Sequence, residues 1–243
     1  MKLPASLRKL LNIFYQNIYI NMIYKKLSGN KGFKDDITNN FHKLFYNAYA
    51  VEGTWKDMKW LGVKILKNPF DLWIFQEIIF RLKPDVIIEC GTKYGGSALY
   101  FASLCDLLNN GKIITIDIKD HKNKPQHKRI KYLLGSSVSE EIISKVKENI
   151  SENDKVLVIL DSDHRKEHVL KELKAYNLLV TKGSYLIVED THLNGHPIDP
   201  LFGPGPMEAV NEFLKENQNF KIDLTKEKFY MTWNPRGYLK KIN

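Results

Sequence analysis

Acidic residues that follow short apolar runs are the side chains of this sequence best suited to chemistry. Each stands at or just past the end of a run rich in Val, Ile and Leu, and they are Glu89, Asp117, Asp161, Glu189 and Asp190. In an open parallel sheet covered by helices, ligands bind beyond the carboxyl ends of the strands. Carboxylates gathered there repel one another unless a cation lies among them. The pattern therefore predicts a ligand site with a cation at one edge of a sheet.

A glycine-containing turn follows the first of these acids and precedes an amphipathic run at 97–108. A strand, a glycine turn and a helix in this order place a nucleotide-like ligand against the helix N-terminus. The acid comes before the glycines, and their spacing departs from the G-x-G-x-x-G pattern of dinucleotide sites, which favours S-adenosylmethionine (SAM) over NAD. An ordinary tight turn would give the same local pattern. The candidate cofactor residues are Glu89, Gly91, Thr92, Gly95, Gly96, Ser97, Asp117, Ser136 and Ser137.

Within that set, Asp117 ends the second strand candidate, where a carboxylate can accept both ribose hydroxyls of a nucleotide. Glu89 is suited to the ammonium group of the ligand's amino-acid part. Ser136 and Ser137 follow Gly135 and the segment 132–134, and they are placed to contact the adenine or the ribose.

The later acids form a second candidate site. Asp161, Glu189 and Asp190 would come from neighbouring parallel strands, and an all-oxygen set of this kind suits Mg²⁺, while Mn²⁺ or Ca²⁺ would also fit. His164 follows Asp161 by three residues. It is either a general base that faces the same pocket or a polar residue at the start of a helix, and the spacing leaves both open. A loop rich in Pro and Gly at 195–206 is expected to shape the pocket.

The elements that position these residues alternate along the chain. Strand candidates lie at 85–89, 113–117, 156–160 and 185–189, and helix candidates at 71–82, 97–108, 137–149 and 166–180. Apolar strands separated by helices predict a Rossmann-like, doubly wound α/β fold with a mostly parallel sheet. Asp71 is suited to cap the helix at 71–82. The segments 220–223 and 229–232 are expected to form a terminal antiparallel strand pair.

The chain has 243 residues and 43% hydrophobic residues, enough for one α/β domain with a full core. We expect an N-terminal helical extension over 1–50 and the catalytic domain over 51–243. Residues 1–29 have the period of an amphipathic helix, which could lie on a bilayer, cover a groove of a partner subunit or pack on its own domain. Asparagines interrupt its apolar stretch, so neither a signal peptide nor a membrane span is expected.

The cysteines and the net charge indicate which binding partners and which cellular compartment to expect. Cys90 and Cys105 both lie in apolar patterns, which is typical of reduced thiols in a cytoplasmic protein. The net charge of +9 is spread along the chain, and no aromatic and basic RNA-binding signature accompanies it. We therefore expect that the protein does not bind nucleic acid. The positive charge would instead attract an anionic substrate or a membrane surface.

Several longer motifs resemble the cephalosporin hydroxylase family, which is similar to rhamnosyl and macrolide-sugar O-methyltransferases. They are E-C-G-T-x-x-G-G-S-A-L at 89–99, L-D-S-D-H at 160–164, S-Y-L-I-V-E-D-T at 184–191 with N-G at 194–195, G-P-G-P at 203–206 and N-P-R-G-Y-L at 234–239. The resemblance covers about residues 50–241. It implies a fold of the class I SAM methyltransferase type and a divalent metal. Asp161, Glu189 and Asp190 match the metal ligands of the family, and His164 matches the position of the base.

The resemblance implies methyl transfer from SAM to a hydroxyl of a sugar in a polysaccharide, a glycolipid or a secondary metabolite, with His164 and Asp161 as the catalytic residues. The family name suggests an iron-dependent hydroxylase, but no trio of two histidines and one carboxylate stands out. An NAD-dependent sugar oxidoreductase and a non-catalytic SAM-binding or membrane-associated protein also stay open. We expect a homo-oligomer that acts in the cytoplasm on a small molecule or glycan, with residues 1–29 as a candidate contact with the inner face of the membrane.

Overall fold

The structure is a computed structural model that describes residues 4–15, 20–29 and 31–243. The chain divides into two compact units, Met1–Leu44 and Phe45–Asn243. The first contains helices α1 (Ala5–Phe14) and α2 (Ile20–Ser28) and most of α3 (Lys31–Asn47). The helix expected over 1–29 is therefore two helices across the described residues, and 16–19 lie outside them. None of the described helices is both long and apolar enough to cross a bilayer.

The second unit begins with short elements that lead to the central sheet. They are α4 (Tyr49–Glu52), a 3₁₀ turn (Thr54–Asp57), the antiparallel strands β1 (Lys59–Trp60) and β2 (Val63–Lys64), and α5 (Pro69–Leu82). The sheet region then comprises β3 (Val86–Cys90), α6 (Gly96–Leu107), β4 (Lys112–Asp117), β5 (Ile130–Leu134), α7 (Glu140–Lys147), β6 (Val156–Leu160), α8 (Lys166–Tyr176), β7 (Tyr185–Val188), α9 (Pro206–Glu216), β8 (Phe220–Ile222) and β9 (Tyr238–Lys241).

The seven strands of the central sheet lie in the order β5-β4-β3-β6-β7-β9-β8. The first five are parallel, and β9 is antiparallel to both β7 and β8. Ile87 and Ile159 pack on one face among residues of α5 and α6, while Ile88 and Val158 pack on the other among residues of α7, α8 and α9. Because both faces are covered, the inner strands are apolar throughout. The doubly wound fold with an antiparallel end is confirmed.

The terminal pair and one helix cap differ from expectation, and a single buried carboxylate explains both. Asp71 does not cap α5, which begins at Pro69, where the Asn68 side chain accepts a hydrogen bond from the Phe70 amide at 3.0 Å. Asp71 instead accepts hydrogen bonds from the Trp233 amide at 2.8 Å, from the Tyr238 hydroxyl at 2.9 Å and from the Thr232 hydroxyl. Since 232–233 are engaged with Asp71, the strand expected at 229–232 is wrong, and β9 takes its place beside β8.

Strand β5 is absent from the strand candidates. It lies at the edge of the sheet, and its five residues are half-buried or exposed. An edge strand lacks the continuous apolar run that marks the buried strands, so its pattern alone does not distinguish it from a loop.

Candidate active site

A cavity of about 740 Å³ lies at the carboxyl ends of the parallel strands. Most of the predicted site residues line it: Gly91, Thr92, Gly96, Ser97, Asp117, Ser136, Ser137, Asp161, His164 and Asp190. Three predicted residues, Glu89, Gly95 and Glu189, do not line the cavity. One cavity thus contains both the glycine turn and part of the acidic cluster, which the sequence places about 70 residues apart.

The glycine turn brings the ends of β3 and β6 unusually close together. Gly91 has a φ of 104°, and a Cβ atom built there would lie 1.9 Å from the carbonyl oxygen of Asp161. Only glycine fits this approach. The turn therefore fixes the backbone of Asp161 next to the backbone that is predicted to bind a cofactor.

Asp117 has a fixed orientation at the cavity wall, because both of its carboxylate oxygens accept backbone hydrogen bonds. Oδ2 accepts from the Lys93 amide at 2.8 Å and Oδ1 from the Lys119 amide at 2.9 Å. These bonds join the turn after β3 to the end of β4. Each carboxylate oxygen can accept a further hydrogen bond, so Asp117 keeps acceptor capacity for a ligand.

Glu89 lies beneath the cavity wall and is fully buried. Its Oε2 accepts a hydrogen bond from the Thr115 hydroxyl at 2.6 Å, and that hydroxyl lies 2.7 Å from the hydroxyl of Thr92, which lines the cavity. Burial raises the pKa of Glu89 to about 7, although the nearby Lys67 ammonium opposes the rise. Glu89 thus reaches the cavity wall through two threonines.

Asp161, His164 and Asp190 each offer a ligand atom, and these atoms lie within 4.8 Å of one another. Nε2 of His164 is 3.2 Å from Oδ2 of Asp190. Burial raises the pKa of Asp161, whereas burial of Asp190 is outweighed by His164 and His192, which hold the pKa of that carboxyl well below its ordinary value. The two carboxylates offer oxygen ligands of the kind that suit a divalent cation, and the imidazole of His164 lies beside them.

Lys67 is a residue that the sequence did not single out, yet it contacts two of the three predicted metal ligands. Its Nζ donates hydrogen bonds to Oδ2 of Asp161 and, at 2.6 Å, to Oε1 of Glu189. The lysine is 2% exposed. Its burial opposes ionisation, but Asp161 and Glu189 raise its pKa, so the ammonium form is retained. Glu189, whose pKa burial raises well above the ordinary range, therefore faces a lysine in this arrangement.

Asp190 adopts a left-handed backbone conformation with a φ of 56°, which is uncommon for a residue with a side chain. Its amide donates a hydrogen bond to Oδ1 of the buried Asn234 at 3.0 Å. Asn234 opens the N-P-R-G-Y-L motif, for which the sequence suggested no role. The structure shows that this motif holds the backbone that aims Asp190 into the cavity.

A buried polar network joins the loops after β5 and β6 below the cavity. Oε1 of Glu172 accepts hydrogen bonds from Ser137 at 2.5 Å and from Ser162 at 2.6 Å. Nε2 of His168 lies 3.4 Å from the same oxygen, and this contact raises the pKa of the imidazole. Glu172 thereby ties the serine loop to the loop that carries Asp161.

An aromatic wall, formed by Tyr46, Trp55 and Trp233, lines the cavity near Asp190. Tyr46 stacks on Trp55 at 5.4 Å between ring centroids, and Trp55 meets the edge of Trp233 at 5.0 Å. Phe202, from the loop rich in Pro and Gly, also lines the cavity, as that loop's position in the sequence predicts. The acidic cluster therefore has apolar surface beside it.

Comparison with known proteins identifies the family. The sequence profile of the Rhamnosyl O-methyltransferase/CmcI family matches residues 52–242. The chain is 36% identical over 211 residues to the rhamnosyl O-methyltransferase of Mycobacterium leprae (strain TN), which covers 84% of this chain and 90% of the relative. The chain belongs to this family. The predicted family and the O-methyltransferase class are thereby confirmed.

A further relative agrees with this chain in sequence, and two solved structures agree with it in fold. The rhamnosyl O-methyltransferase of Mycobacterium tuberculosis (strain ATCC 25618 / H37Rv) is 36% identical over 212 residues, 84% of this chain and 85% of the relative. Among solved structures, the CmcI-N160 apo-structure has a TM-score of 0.62 at 20% identity and covers 77% of each chain. The structure cmcI-D160 Mg-SAM has a TM-score of 0.59 at 20% identity and covers 77% of this chain and 78% of that one. These structures share the fold of the second unit.

Proposed function

We propose that this member of the rhamnosyl O-methyltransferase/CmcI family transfers a methyl group from SAM to a hydroxyl of a sugar and requires Mg²⁺. One observation carries the proposal: the glycine turn with Asp117 and the cluster of Asp161, His164 and Asp190 open into the same cavity. A transfer between two bound molecules needs both sites within reach of one another. The relatives named rhamnosyl O-methyltransferases support a sugar as the acceptor.

The donor half of the cavity is formed by the turn at 91–97, by Asp117 and by the serines Ser136 and Ser137. SAM supplies a methyl group on a positively charged sulfur, which is a good leaving group. Asp117 is oriented by the Lys93 and Lys119 amides to accept hydrogen bonds from ribose hydroxyls. Ser136 and Ser137 line the same cavity and would contact the adenine or the ribose.

Two residues that were predicted to bind SAM, Glu89 and Gly95, do not line the cavity and would support its wall in this proposal. Glu89 holds Thr92 through Thr115. Gly95 supplies the left-handed turn, with a φ of 77°, from which α6 begins. Neither needs to face the cavity to shape the backbone that binds the donor.

Asp161 and Asp190 would hold the metal, with Glu189 as the third carboxylate. When bound, Mg²⁺ or Mn²⁺ supplies a Lewis acid that lowers the pKa of the acceptor hydroxyl. The donor set fits this ion because its carboxylate oxygens are the ligands that Mg²⁺ prefers. Glu189, like Asp161, accepts a hydrogen bond from Lys67 in this structure.

His164 is the proposed base that receives the proton of the acceptor hydroxyl. Its imidazole lines the cavity and touches Asp190, whose carboxylate would stabilise the imidazolium that proton transfer forms. Asp161 positions the acceptor, and the aromatic wall offers apolar surface to the C–H face of a sugar ring.

The site is tested with Asp161→Asn and with Asp154→Asn as a matched control. Asp154 is half-buried, precedes β6 where Asp161 follows it, and does not line the cavity. SAM binding by calorimetry should be retained in both variants. Methylation of rhamnosyl glycosides in Mg²⁺ should be lost in Asp161→Asn and retained in Asp154→Asn. Full turnover of the wild-type chain in excess EDTA would refute the metal requirement.

We further propose that residues 1–50 form an extension to the catalytic domain 51–243. This extension would contact the anionic inner face of the membrane from the cytoplasm. Residues 1–34 carry no acid and seven bases: Lys2, Arg8, Lys9, Lys25, Lys26, Lys31 and Lys34. Helix α1 buries no residue, and Leu10 is 67% exposed. Apolar residues beside bases, without acids, are typical of helices that lie in the headgroup region.

Flotation with vesicles tests this contact. The full chain should float with vesicles that contain anionic lipid and remain with the soluble fraction when the vesicles are neutral. Leu10→Ser with Leu11→Ser should reduce flotation, whereas Leu107→Ser, an exposed leucine of the catalytic domain, should not. Unchanged flotation of the double variant would exclude α1 as the contact. Light scattering of the purified chain tests the homo-oligomer that we expect from the sequence, and a monomeric mass would refute it.

A further inference from the structure

Lys67 reaches the acidic cluster from a firmly held part of the backbone. The next residue, Asn68, caps α5. Two residues before Lys67, the Ile65 amide donates a hydrogen bond to the Met58 carbonyl at 3.0 Å. Asp71, in the first turn of α5, accepts hydrogen bonds from the segment before β9. The fold therefore fixes the backbone that carries Lys67, and the buried side chain is held at the cluster.

The charges around Lys67 show what it does there. Its nearest acidic partners are Asp161 and Glu189, and Glu89 also acts on it electrostatically. Removal of a cation from buried carboxylates leaves uncompensated charge, which is strongly destabilising. A divalent ion would neutralise the same carboxylates. Lys67 and the ion would thus neutralise the same two carboxylates, those of Asp161 and Glu189.

We propose that Lys67 is the internal counter-ion of the metal-free cluster and that it competes with the divalent ion for Asp161 and Glu189. This inference rests on the proposed metal dependence and adds a residue that sets metal affinity. An ammonium that bridges two ligands opposes a second cation at those ligands, because like charges repel and each carboxylate has a limited number of lone pairs. The lysine keeps the empty site folded and lowers its affinity for the ion.

The test uses the full chain and reads metal binding without turnover. Lys67→Met removes the charge, Lys67→Gln removes the charge but keeps a hydrogen-bond donor, and Lys67→Arg keeps the charge. Lys226→Met is the matched control, because Lys226 is also buried and lies 3.9 Å from Asp223, away from the cavity. Electron paramagnetic resonance of free Mn²⁺ gives the dissociation constant, and thermal melting in EDTA and in Mn²⁺ gives the stability of each state.

The proposal predicts that Lys67→Met and Lys67→Gln bind Mn²⁺ about tenfold more tightly or better, which is the change expected when a neighbouring like charge is removed. Both should melt at a lower temperature than the wild type in EDTA and recover in Mn²⁺. Lys67→Arg and Lys226→Met should keep the wild-type affinity. If Lys67→Met is unfolded in EDTA, Lys67→Gln provides the affinity.

Equal or weaker Mn²⁺ binding by both neutral variants would overturn the competition. A wild-type chain that binds no Mn²⁺ at millimolar concentration would be a different result, since it would overturn the proposed metal dependence and this inference with it.

Discussion

Replacement of Asn234 by alanine should weaken metal binding although Asn234 is not itself a proposed ligand. Its side-chain oxygen accepts the hydrogen bond of the Asp190 amide at 3.0 Å, and Asp190 needs this support because its φ is 56°. Without the acceptor, the backbone at Asp190 can relax toward an ordinary conformation. The carboxylate would then leave the position in which it lies near Asp161 and His164.

The magnitude follows from two contributions. An unsatisfied amide costs about 1–3 kcal/mol. A left-handed conformation costs a residue with a side chain roughly 1–2 kcal/mol, and this strain favours the relaxed state once the hydrogen bond is gone. Together the two contributions amount to about 2–5 kcal/mol that must be supplied to restore Asp190 on binding. The affinity for Mn²⁺ therefore falls roughly 25-fold or more at 1.4 kcal/mol for each factor of ten.

Calorimetric titration of Mn²⁺ into the full chain measures this loss. Asn217→Ala is the control, since its side chain likewise accepts a backbone hydrogen bond, from the Asn219 amide at 2.9 Å, but does not line the cavity. The control should bind Mn²⁺ as the wild type does. An Asn234→Ala variant that is folded and binds Mn²⁺ within threefold of the wild type would refute the role given to the N-P-R-G-Y-L motif.

Three further predictions address the base, the donor half and the pH dependence. His164→Ala should lower kcat about 10²- to 10⁴-fold with unchanged SAM affinity, and turnover within a factor of five of the wild type would remove His164 as the base. Asp117→Ala should raise the Kd for SAM about tenfold or more, as two charge-assisted hydrogen bonds are lost, without change in Mn²⁺ binding; equal SAM affinity would exclude the ribose contact. Burial raises the pKa of Asp71 from 3.8 to about 6, so between these pH values the folded chain keeps a proton that the unfolded chain has released. The wild type should therefore lose up to roughly 3 kcal/mol relative to Asp71→Asn as the pH rises from 4 to 7. Urea unfolding at several pH values measures that difference, and a pH-independent difference would contradict it.

Many of the cavity residues could be predicted, because an acidic residue that follows an apolar run can be placed at the end of a strand from the sequence alone. Asp117 and Asp161 each end a strongly apolar run, and the parallel order of the strands brings such ends to one edge. Lys67 could not be predicted in this way. It is 94 residues from Asp161 and 122 from Glu189. It lies between the two-residue strand β2 and α5, in a segment without a recognisable motif. Contacts over such distances depend on how the chain before the sheet packs.

The fold shows the same limit. The strands β3 and β6 are buried at every position, and their apolar pattern predicts them. The apolar residues at 229–232 have a strand-like pattern, but the buried carboxylate of Asp71 engages the backbone and side chains just there. The hydrophobic pattern records burial and does not show which partner a buried segment bonds.

Transfer of a labelled methyl group tests the central claim most directly. The wild-type chain would be incubated with SAM labelled with ¹³C at the methyl group, a rhamnosyl glycoside and Mg²⁺, and the product analysed by ¹³C NMR and mass spectrometry. The proposed function predicts a labelled methyl group on a sugar oxygen, which excess EDTA and Asp161→Asn both abolish. A product that gains one oxygen atom, or a methyl group that appears equally in EDTA, would contradict it.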